Sequence, residues 1–189
     1  MEIILTSTLV VALAEIGDKT MLLAIVLASR FRKPLPIITG IFFATIANHA
    51  LAAWAGSAIA GLLDGQWFRI AVAIGFLAMA AWTLVPDRFE DDDGRRDRNR
   101  RGAFLTTLIS FFLVEIGDKT QVATVALGAH YHSVAQVAIG TTLGMMLANV
   151  PAVFLGDRIT RLVPLNIVRM AAAAIFAVLG IWGLIEALA

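Results

Sequence analysis

The sequence contains no cysteine and few charged residues. None of its 189 residues is cysteine and only 15% are Asp, Glu, Lys or Arg, against about 25% in a typical soluble domain. The absence of cysteine excludes disulfide bonds, thiolate metal sites and cysteine nucleophiles. Hydrophobic residues make up 59% of the chain, and its apolar runs are long enough to cross a bilayer with about 30 Å of hydrocarbon. The sequence therefore predicts an integral membrane protein.

The first apolar run lacks the basic residues of a cleaved signal peptide. Ala12-Leu13-Ala14 resembles a cleavage site, but no Lys or Arg precedes the run, and Glu2 has the wrong sign. A similar run recurs inside the chain from Phe104, where no signal peptide acts. We therefore interpret the start of the chain as a retained first span.

Six spans can be recognised, and they predict an all-α membrane protein. They are approximately Ile3–Ser29, Leu35–Leu63, Trp67–Val85, Ala103–Ala129, Val134–Leu155 and Leu165–Leu188. The first and fourth are longer than the roughly 20 residues that a helix needs. Each contains a glycine, Gly17 or Gly117, so tilting or a local break at that residue would accommodate the extra length.

The two halves of the chain repeat with a period of 100 residues. The hexapeptide Glu-Ile-Gly-Asp-Lys-Thr occurs at residues 15–20 and again at 115–120. Further identities at this offset include Gly40/Gly140, Gly56/Gly156, Ile59/Ile159, Arg69/Arg169, Phe76/Phe176 and Trp82/Trp182. We predict a first three-helix repeat at 1–86, a charged cytoplasmic linker at 87–101 and a second three-helix repeat at 102–189.

The loop charges predict that the two repeats have opposite orientations. Three spans per repeat is an odd number, so the second repeat starts from the other side of the membrane. Twelve of the 15 Lys and Arg residues lie on one side under this topology: Arg30, Arg32, Lys33, Arg88, Arg95, Arg96, Arg98, Arg100, Arg101, Arg158, Arg161 and Arg169. The positive-inside rule then gives an inverted repeat with both termini outside, N-out and C-out. We interpret the linker as a solvated connection without a site.

The two hexapeptides place six charged residues inside predicted spans. One unpaired charge at the centre of a span costs about 2.5–3.5 kcal/mol. In a continuous helix Glu15, Asp18 and Lys19 would share one face. One hypothesis is an ion pair between Glu15 and Lys19, and likewise in the second copy, which only pins helices together. That hypothesis leaves both aspartates without partners.

The other hypothesis is a cation site where the two repeats meet. Carboxylate and hydroxyl oxygens suit hard divalent cations such as Ca²⁺, Mg²⁺ or Mn²⁺. The predicted metal ligands are Glu15, Asp18, Thr20, Glu115, Asp118 and Thr120. Lys19 and Lys119 are assigned to charge balance and proton coupling. Four carboxylates and two ammonium groups carry a net charge of −2, which either one divalent cation or two protons would neutralise, so the two compete.

Four further polar residues are weaker candidates. Asn48 and Asn149 could donate carbonyl oxygens or only hydrogen-bond helices together. Gln121 follows the second motif where Met21 follows the first, so a site would be asymmetric at that point. His49 could be a nitrogen ligand, although a hydrogen-bonded core histidine is the commoner arrangement.

Two copies of E-x-G-D-[KR]-[TS] in a six-span duplicated chain resemble the GDT-type family of calcium/manganese:proton transporters. The resemblance covers the whole chain. It implies cation/proton antiport with Glu15, Asp18, Lys19 and Thr20 and their counterparts Glu115, Asp118, Lys119 and Thr120 at the site. The short chain without a transit peptide is similar to bacterial members, for which the resemblance implies export of Mn²⁺ across the cytoplasmic (inner) membrane.

Two other functions remain open at this point. A lysine-exporter-like amino-acid exporter has a similar six-span inverted architecture, and a membrane assembly or scaffold protein would transport nothing. No nucleophile–base pair or metalloprotease motif occurs in the spans, so we expect no enzymatic activity and no resident cofactor. The expected partners are a divalent cation and protons as substrates and the lipid bilayer, with no nucleic acid. The choice between Mn²⁺ and Ca²⁺, the stoichiometry and any homo-oligomer are left undecided.

Overall fold

Eight helices make up the part of the chain that the computed structural model describes, namely residues 1–62, 65–85, 100–156 and 165–188. In chain order they are α1 (Glu2–Glu15), α2 (Lys19–Phe31), α3 (Pro34–Leu62), α4 (Gln66–Thr83), α5 (Arg100–Glu115), α6 (Lys119–Tyr131), α7 (Val134–Leu155) and α8 (Leu165–Leu188). No strand occurs in these ranges, so the all-α prediction holds for them. Most of the predicted linker, 87–99, lies outside the described residues, as do Arg158 and Arg161.

Four of the helices are long and apolar enough to cross a membrane. The qualifying segments are Pro34–Gly61, Gln66–Thr83, Val134–Leu155 and Met170–Leu188. They coincide with the second, third, fifth and sixth predicted spans. The protein is therefore a multi-pass membrane protein.

The first and fourth predicted spans are each divided into two short helices. α1 has 14 residues and α2 has 13, while α5 has 16 and α6 has 13. At about 1.5 Å per residue, none of these helices alone crosses about 30 Å of hydrocarbon. Two short helices in succession are also the form of the discontinuous helices in many transporters.

The helix boundaries repeat at the same 100-residue offset as the sequence. α2 and α6 begin at Lys19 and Lys119 and have equal lengths. Each is followed by a residue in the left-handed conformation, Arg32 with φ of 54° and His132 with φ of 50°. Such a residue ends a helix by turning its backbone N–H back onto a carbonyl of the last turn. The duplication therefore extends to the local backbone geometry.

The long helices α3 and α7 hold the two repeats together. α3 packs along α5 and α6 of the second repeat, and α7 packs along α1 and α2 of the first. α3 and α7 also contact each other, and α4 pairs with α8. Both long helices contribute to both clusters of buried apolar side chains. Every long helix thus packs against helices of the opposite repeat, and this arrangement brings the two motifs together.

Glycines permit the close contact between α3 and α6. A methyl group added at Gly128 would lie 2.4 Å from the carbonyl oxygen of Ala53, and one added at Gly56 would lie 2.0 Å from that of Val125. No heavy-atom contact is this short, so any side chain here would push the helices apart. Small residues at such positions are the usual basis of helix association in lipid.

We expect Gly128→Ala to destabilise the protein by about 1–3 kcal/mol, the usual penalty for overpacking. Gly75→Ala is the matched control, because a methyl group at Gly75 in α4 meets no atom within 4 Å. Thermal unfolding of the purified proteins in detergent measures the difference. The control should melt at or slightly above the wild-type temperature. Equal melting temperatures for the two variants would contradict the close packing of α3 on α6.

Candidate cation site

Both hexapeptide motifs lie where a helix stops and a new one starts. α1 ends at Glu15 and α2 begins at Lys19, and the second motif repeats this arrangement. Gly17 has φ of 84° and Gly117 has φ of 77°, a left-handed conformation that favours glycine. Of the two possibilities that the sequence left open, tilting or a local break, the structure has the break, so Glu15, Asp18 and Lys19 do not share the face that a continuous helix would give them. The motif residues instead occupy facing helix ends.

Three carboxylates from the two motifs form a compact buried group. One oxygen each of Glu15, Asp18 and Asp118 lies within 4.8 Å of the others, and all three residues are almost fully buried. A cation about 2.0–2.6 Å from its oxygen ligands separates ligands on its opposite sides by up to about 5 Å. The group therefore has dimensions that one divalent cation can bridge.

Glu115 is connected to this group through Thr120. The Thr120 hydroxyl contacts Oε1 of Glu115 and lies 3.2 Å from Oδ2 of Asp118. Glu115, Asp18 and Asp118 all lie near enough to Glu15 to interact with it electrostatically. All four carboxylates of the two motifs therefore belong to one electrostatic unit.

Each lysine pairs with the aspartate of the opposite motif. Lys19 Nζ lies 2.7 Å from Asp118 Oδ1, and Lys119 Nζ lies 3.8 Å from Asp18 Oδ1. The Glu–Lys pairs of the hypothesis that the motifs only hold helices together are not among the ion pairs of the described residues, and the aspartates that this hypothesis leaves without partners are paired. The break between the helices removes the four-residue helical spacing on which that hypothesis depends. The crossed pairs connect the first repeat to the second.

Neutral oxygen atoms also surround the carboxylates. Asn149 on α7 donates from Nδ2 to Glu15 Oε1 at 3.1 Å, which leaves its own carbonyl oxygen without a hydrogen-bond partner among the described residues. The hydroxyl of buried Thr20 and the second carboxylate oxygens of Glu15 and Glu115 are also unpartnered there. Buried polar atoms without partners are rare in folded proteins. Their accumulation here fits a set of cation ligands.

Asn48 and Gln121 instead hydrogen-bond the backbone near the second break. Asn48 Nδ2 donates to the carbonyl of Phe112 at 3.0 Å, a carbonyl whose helical partner, the N–H of Ile116, bonds Leu113 instead. Gln121 Oε1 accepts from the N–H of Gly117 at 2.6 Å. Met21 offers Gly17 only a sulfur at 3.5 Å. The predicted asymmetry at Gln121 thus affects how the break is stabilised.

The two lysines differ in how they are covered. Lys119 donates to the carbonyl of Val85 at 3.1 Å and lies 5.9 Å from the centre of the Trp82 ring. Its side chain is only 4% exposed, whereas that of Lys19 is 28% exposed. The end of α4 therefore covers one side of the site. No sequence signal distinguished Trp82 from its repeat partner Trp182, so this role was not predicted.

His49 on α3 is fully buried beside the carboxylates. Its Nε2 lies 3.4 Å from Oε1 of Glu115, so His49 faces the second motif from the first repeat. The sequence contained a signal for this position, because His49 adjoins Asn48 within an apolar span. Sequence reasoning nevertheless favoured a role in the core for it.

Comparison with known proteins identifies a family for nearly the whole chain. The family model described as "Divalent cation/proton antiporter GDT1" matches residues 3–91 and 103–189. A protein of Vibrio cholerae serotype O1 (strain ATCC 39541 / Classical Ogawa 395 / O395) named "Putative manganese exporter" is 48% identical over 182 residues. That alignment covers 96% of this chain and 90% of the relative.

Plant proteins are more distant relatives. GDT1-like protein 5 of Arabidopsis thaliana is 25% identical over 92% of this chain and 91% of its own length. GDT1-like protein 3 of Oryza sativa subsp. indica is 26% identical over 78% of this chain and 61% of its own length. No solved structure matches significantly. Since the family model spans both repeats, the chain belongs to the GDT1 family of divalent cation/proton antiporters, which are membrane transporters and not enzymes.

Proposed function

We propose that this protein exports Mn²⁺ from the bacterial cytoplasm in exchange for protons, and that both motifs together form its single cation site. The observation that carries the proposal is the buried group of Glu15, Asp18 and Asp118, whose ligand oxygens lie within 4.8 Å of one another. Unpaired charges in a membrane cost several kcal/mol and mark ion pathways when they occur there. A structural role alone would be better served by apolar residues.

The ligand set combines charged and neutral oxygens. Glu15, Asp18, Glu115 and Asp118 supply carboxylates, while Thr20 and Thr120 supply hydroxyls. Asn149 holds Glu15 in place and adds a carbonyl oxygen that has no other partner among the described residues. Mn²⁺ and Ca²⁺ both accept such oxygen ligands. The name of the Vibrio cholerae relative supports Mn²⁺ and outward transport for this chain as well.

Proton binding at the same site follows from charge and from hydrogen-bond chemistry. Four carboxylates and two ammonium groups leave a net charge of −2, which Mn²⁺ or two protons would neutralise equally. The Thr120 hydroxyl contacts a carboxylate of Glu115 and one of Asp118, but it has only one hydrogen to donate. A proton on one of the two carboxyl groups would satisfy the second contact. Metal and protons then compete for the same oxygens.

An inverted arrangement of the repeats would give the site access to both sides of the membrane in turn. With both termini outside, the end of α4 faces the cytoplasm and covers Lys119 there. The greater exposure of Lys19 supports a site that is closed on one side and more open on the other. Rocking of one repeat against the other would exchange the two states around a fixed site.

The proposed function is tested by transport into proteoliposomes that contain the purified protein. Mn²⁺, Ca²⁺ and Mg²⁺ are offered in turn across an imposed pH gradient, and metal uptake and internal pH are followed together. We expect Mn²⁺ to move fastest and in the direction opposite to protons. A protein that moves none of the three ions, or that moves them without any proton flux, would contradict the proposal.

The two asparagines are expected to respond differently to replacement. Asn149→Ala removes the hydrogen bond to Glu15 and a neutral oxygen, so the KM for Mn²⁺ should rise about tenfold, as for other residues that orient metal ligands. Asn48→Ala removes only the bond to the Phe112 carbonyl. It should lower stability by about 1–3 kcal/mol and leave KM unchanged. Transport kinetics of both variants measure the KM, and thermal unfolding measures their stability. An unchanged KM in Asn149→Ala would remove Asn149 from the site.

A further inference from the structure

His49 is the only nitrogen-bearing aromatic side chain that the described residues place against the motif carboxylates, and it comes from one repeat only. At the 100-residue offset of the repeats its counterpart in α7 is Asn149, whose amide contacts Glu15. His49 is 0% exposed, and its Nε2 faces Oε1 of Glu115 at 3.4 Å. The repeats therefore place equivalent side chains against the two motif glutamates, an imidazole beside Glu115 and an amide beside Glu15.

The contacts of the imidazole leave part of its bonding capacity unused. A neutral imidazole has one N–H and one lone pair, and Nδ1 has no hydrogen-bond partner among the described residues. The Nε2 contact of 3.4 Å is longer than the 2.7–3.2 Å typical of N–H···O bonds. Two neighbouring ligands of one metal ion, each about 2.0–2.3 Å from it, lie about 3 Å apart. The spacing of Nε2 and Glu115 is close to that of two ligands on adjacent corners of one coordination sphere.

We propose that His49 Nε2 is a ligand of the transported ion and that it makes the site prefer Mn²⁺ and other first-row transition-metal ions over Ca²⁺ and Mg²⁺. The inference rests on the proposed cation site. Ca²⁺ and Mg²⁺ take oxygen ligands, whereas imidazole is an established ligand of first-row transition metals. A site of carboxylates, hydroxyls and amide oxygens alone would accept Ca²⁺ readily. One nitrogen ligand in place of an oxygen ligand weakens Ca²⁺ binding without changing the charge of the site.

Replacement of His49 tests the preference directly. His49→Gln keeps a polar side chain of similar reach but offers an amide in place of the imidazole. Affinities of purified protein for Mn²⁺ and Ca²⁺ are measured by calorimetry, and transport rates are measured in proteoliposomes. We expect the ratio of Mn²⁺ to Ca²⁺ affinity to fall about tenfold or more, mainly through weaker Mn²⁺ binding. Asn48→Ala, altered at the neighbouring position on α3, is the matched control and should keep the wild-type ratio.

A spectroscopic measurement on the wild-type protein gives an independent answer. Electron spin echo envelope modulation of bound Mn²⁺ detects a directly coordinated nitrogen. We expect a ¹⁴N signal in wild type and none in His49→Gln. Mn²⁺ that binds wild type without a ¹⁴N signal, or a His49→Gln variant with an unchanged ion preference, would overturn the inference and leave the oxygen site intact. A wild-type protein that binds no divalent ion would instead overturn the proposed function and this inference with it.

Discussion

Replacing either motif aspartate by asparagine is expected to abolish metal transport without unfolding the protein. Asp18 and Asp118 each pair with the lysine of the opposite motif and each precedes the first residue of a helix. Asparagine is about as good as aspartate at that capping position, so the fold should persist. The substitution removes one of the four negative charges, and a bound divalent cation would then leave the site with an uncompensated charge in the membrane. Metal-dependent flux should fall to about a hundredth of the wild-type rate or less.

The measurement is Mn²⁺ flux in proteoliposomes, with size-exclusion chromatography and thermal unfolding as checks of the fold. Glu186→Gln is a suitable control, because it removes a carboxylate from an exposed position on α8 that is not part of the acidic group. The control should transport at the wild-type rate. Normal transport by either aspartate variant would favour a scaffold function over a cation site.

We expect the exchange of one Mn²⁺ for two protons to be electroneutral. One Mn²⁺ or two protons would balance the formal charge of −2. The site would then be neutral in both loaded states during the conformational change. The empty site would carry uncompensated buried charge, at a cost of several kcal/mol, and this penalty couples the two fluxes. The count takes both Lys19, which contacts Asp118 at 2.7 Å, and Lys119 as ammonium groups. Release of a lysine proton would change the count and make transport electrogenic.

Proteoliposomes with the membrane potential clamped by K⁺ and valinomycin distinguish the two cases. Moving one elementary charge through 100 mV is worth about 2.3 kcal/mol, which corresponds to a rate change of up to about 50-fold. Electroneutral exchange should change less than about twofold over that range. A steep dependence on potential, or a proton-to-metal ratio far from two, would contradict the scheme.

The sequence was sufficient to predict that the charged residues of the two motifs lie close together, because an unpaired charge in a membrane has a high desolvation cost. The same reasoning did not predict how they pair. The i, i+3 and i, i+4 spacings of Glu15, Asp18 and Lys19 assume one continuous helix, and the chain breaks that helix at Gly17. Once the backbone turns, Lys19 is directed toward Asp118 of the opposite motif instead of Glu15. Hydrophobicity and charge count do not encode this direction, which depends on backbone torsion angles.

The roles of Asn48, Asn149 and Trp82 were also difficult to predict from the sequence, because they depend on contacts between distant segments. Asn48 and Asn149 miss the 100-residue offset by one position, and Asn48 bonds a backbone carbonyl whereas Asn149 bonds a motif carboxylate, as its exact repeat partner His49 does. Trp82 covers Lys119 although it is 37 positions away in the chain. Repetition therefore predicts which positions face the motif glutamates, but it does not predict the contacts of residues that lack an identical repeat partner. The asymmetry of the site therefore becomes visible only in the structure.

The proposed mechanism requires that both motifs form one site at which a divalent cation displaces protons. Calorimetric titration of the purified protein with Mn²⁺, in buffers of different ionisation enthalpy, measures ions bound and protons released together. We expect one Mn²⁺ per chain, with proton release approaching two as the pH is lowered. Two equivalent ions per chain would mean that each motif binds separately, and binding without proton release at any pH would remove the basis for exchange. Either result would contradict a single exchange site shared by the two motifs.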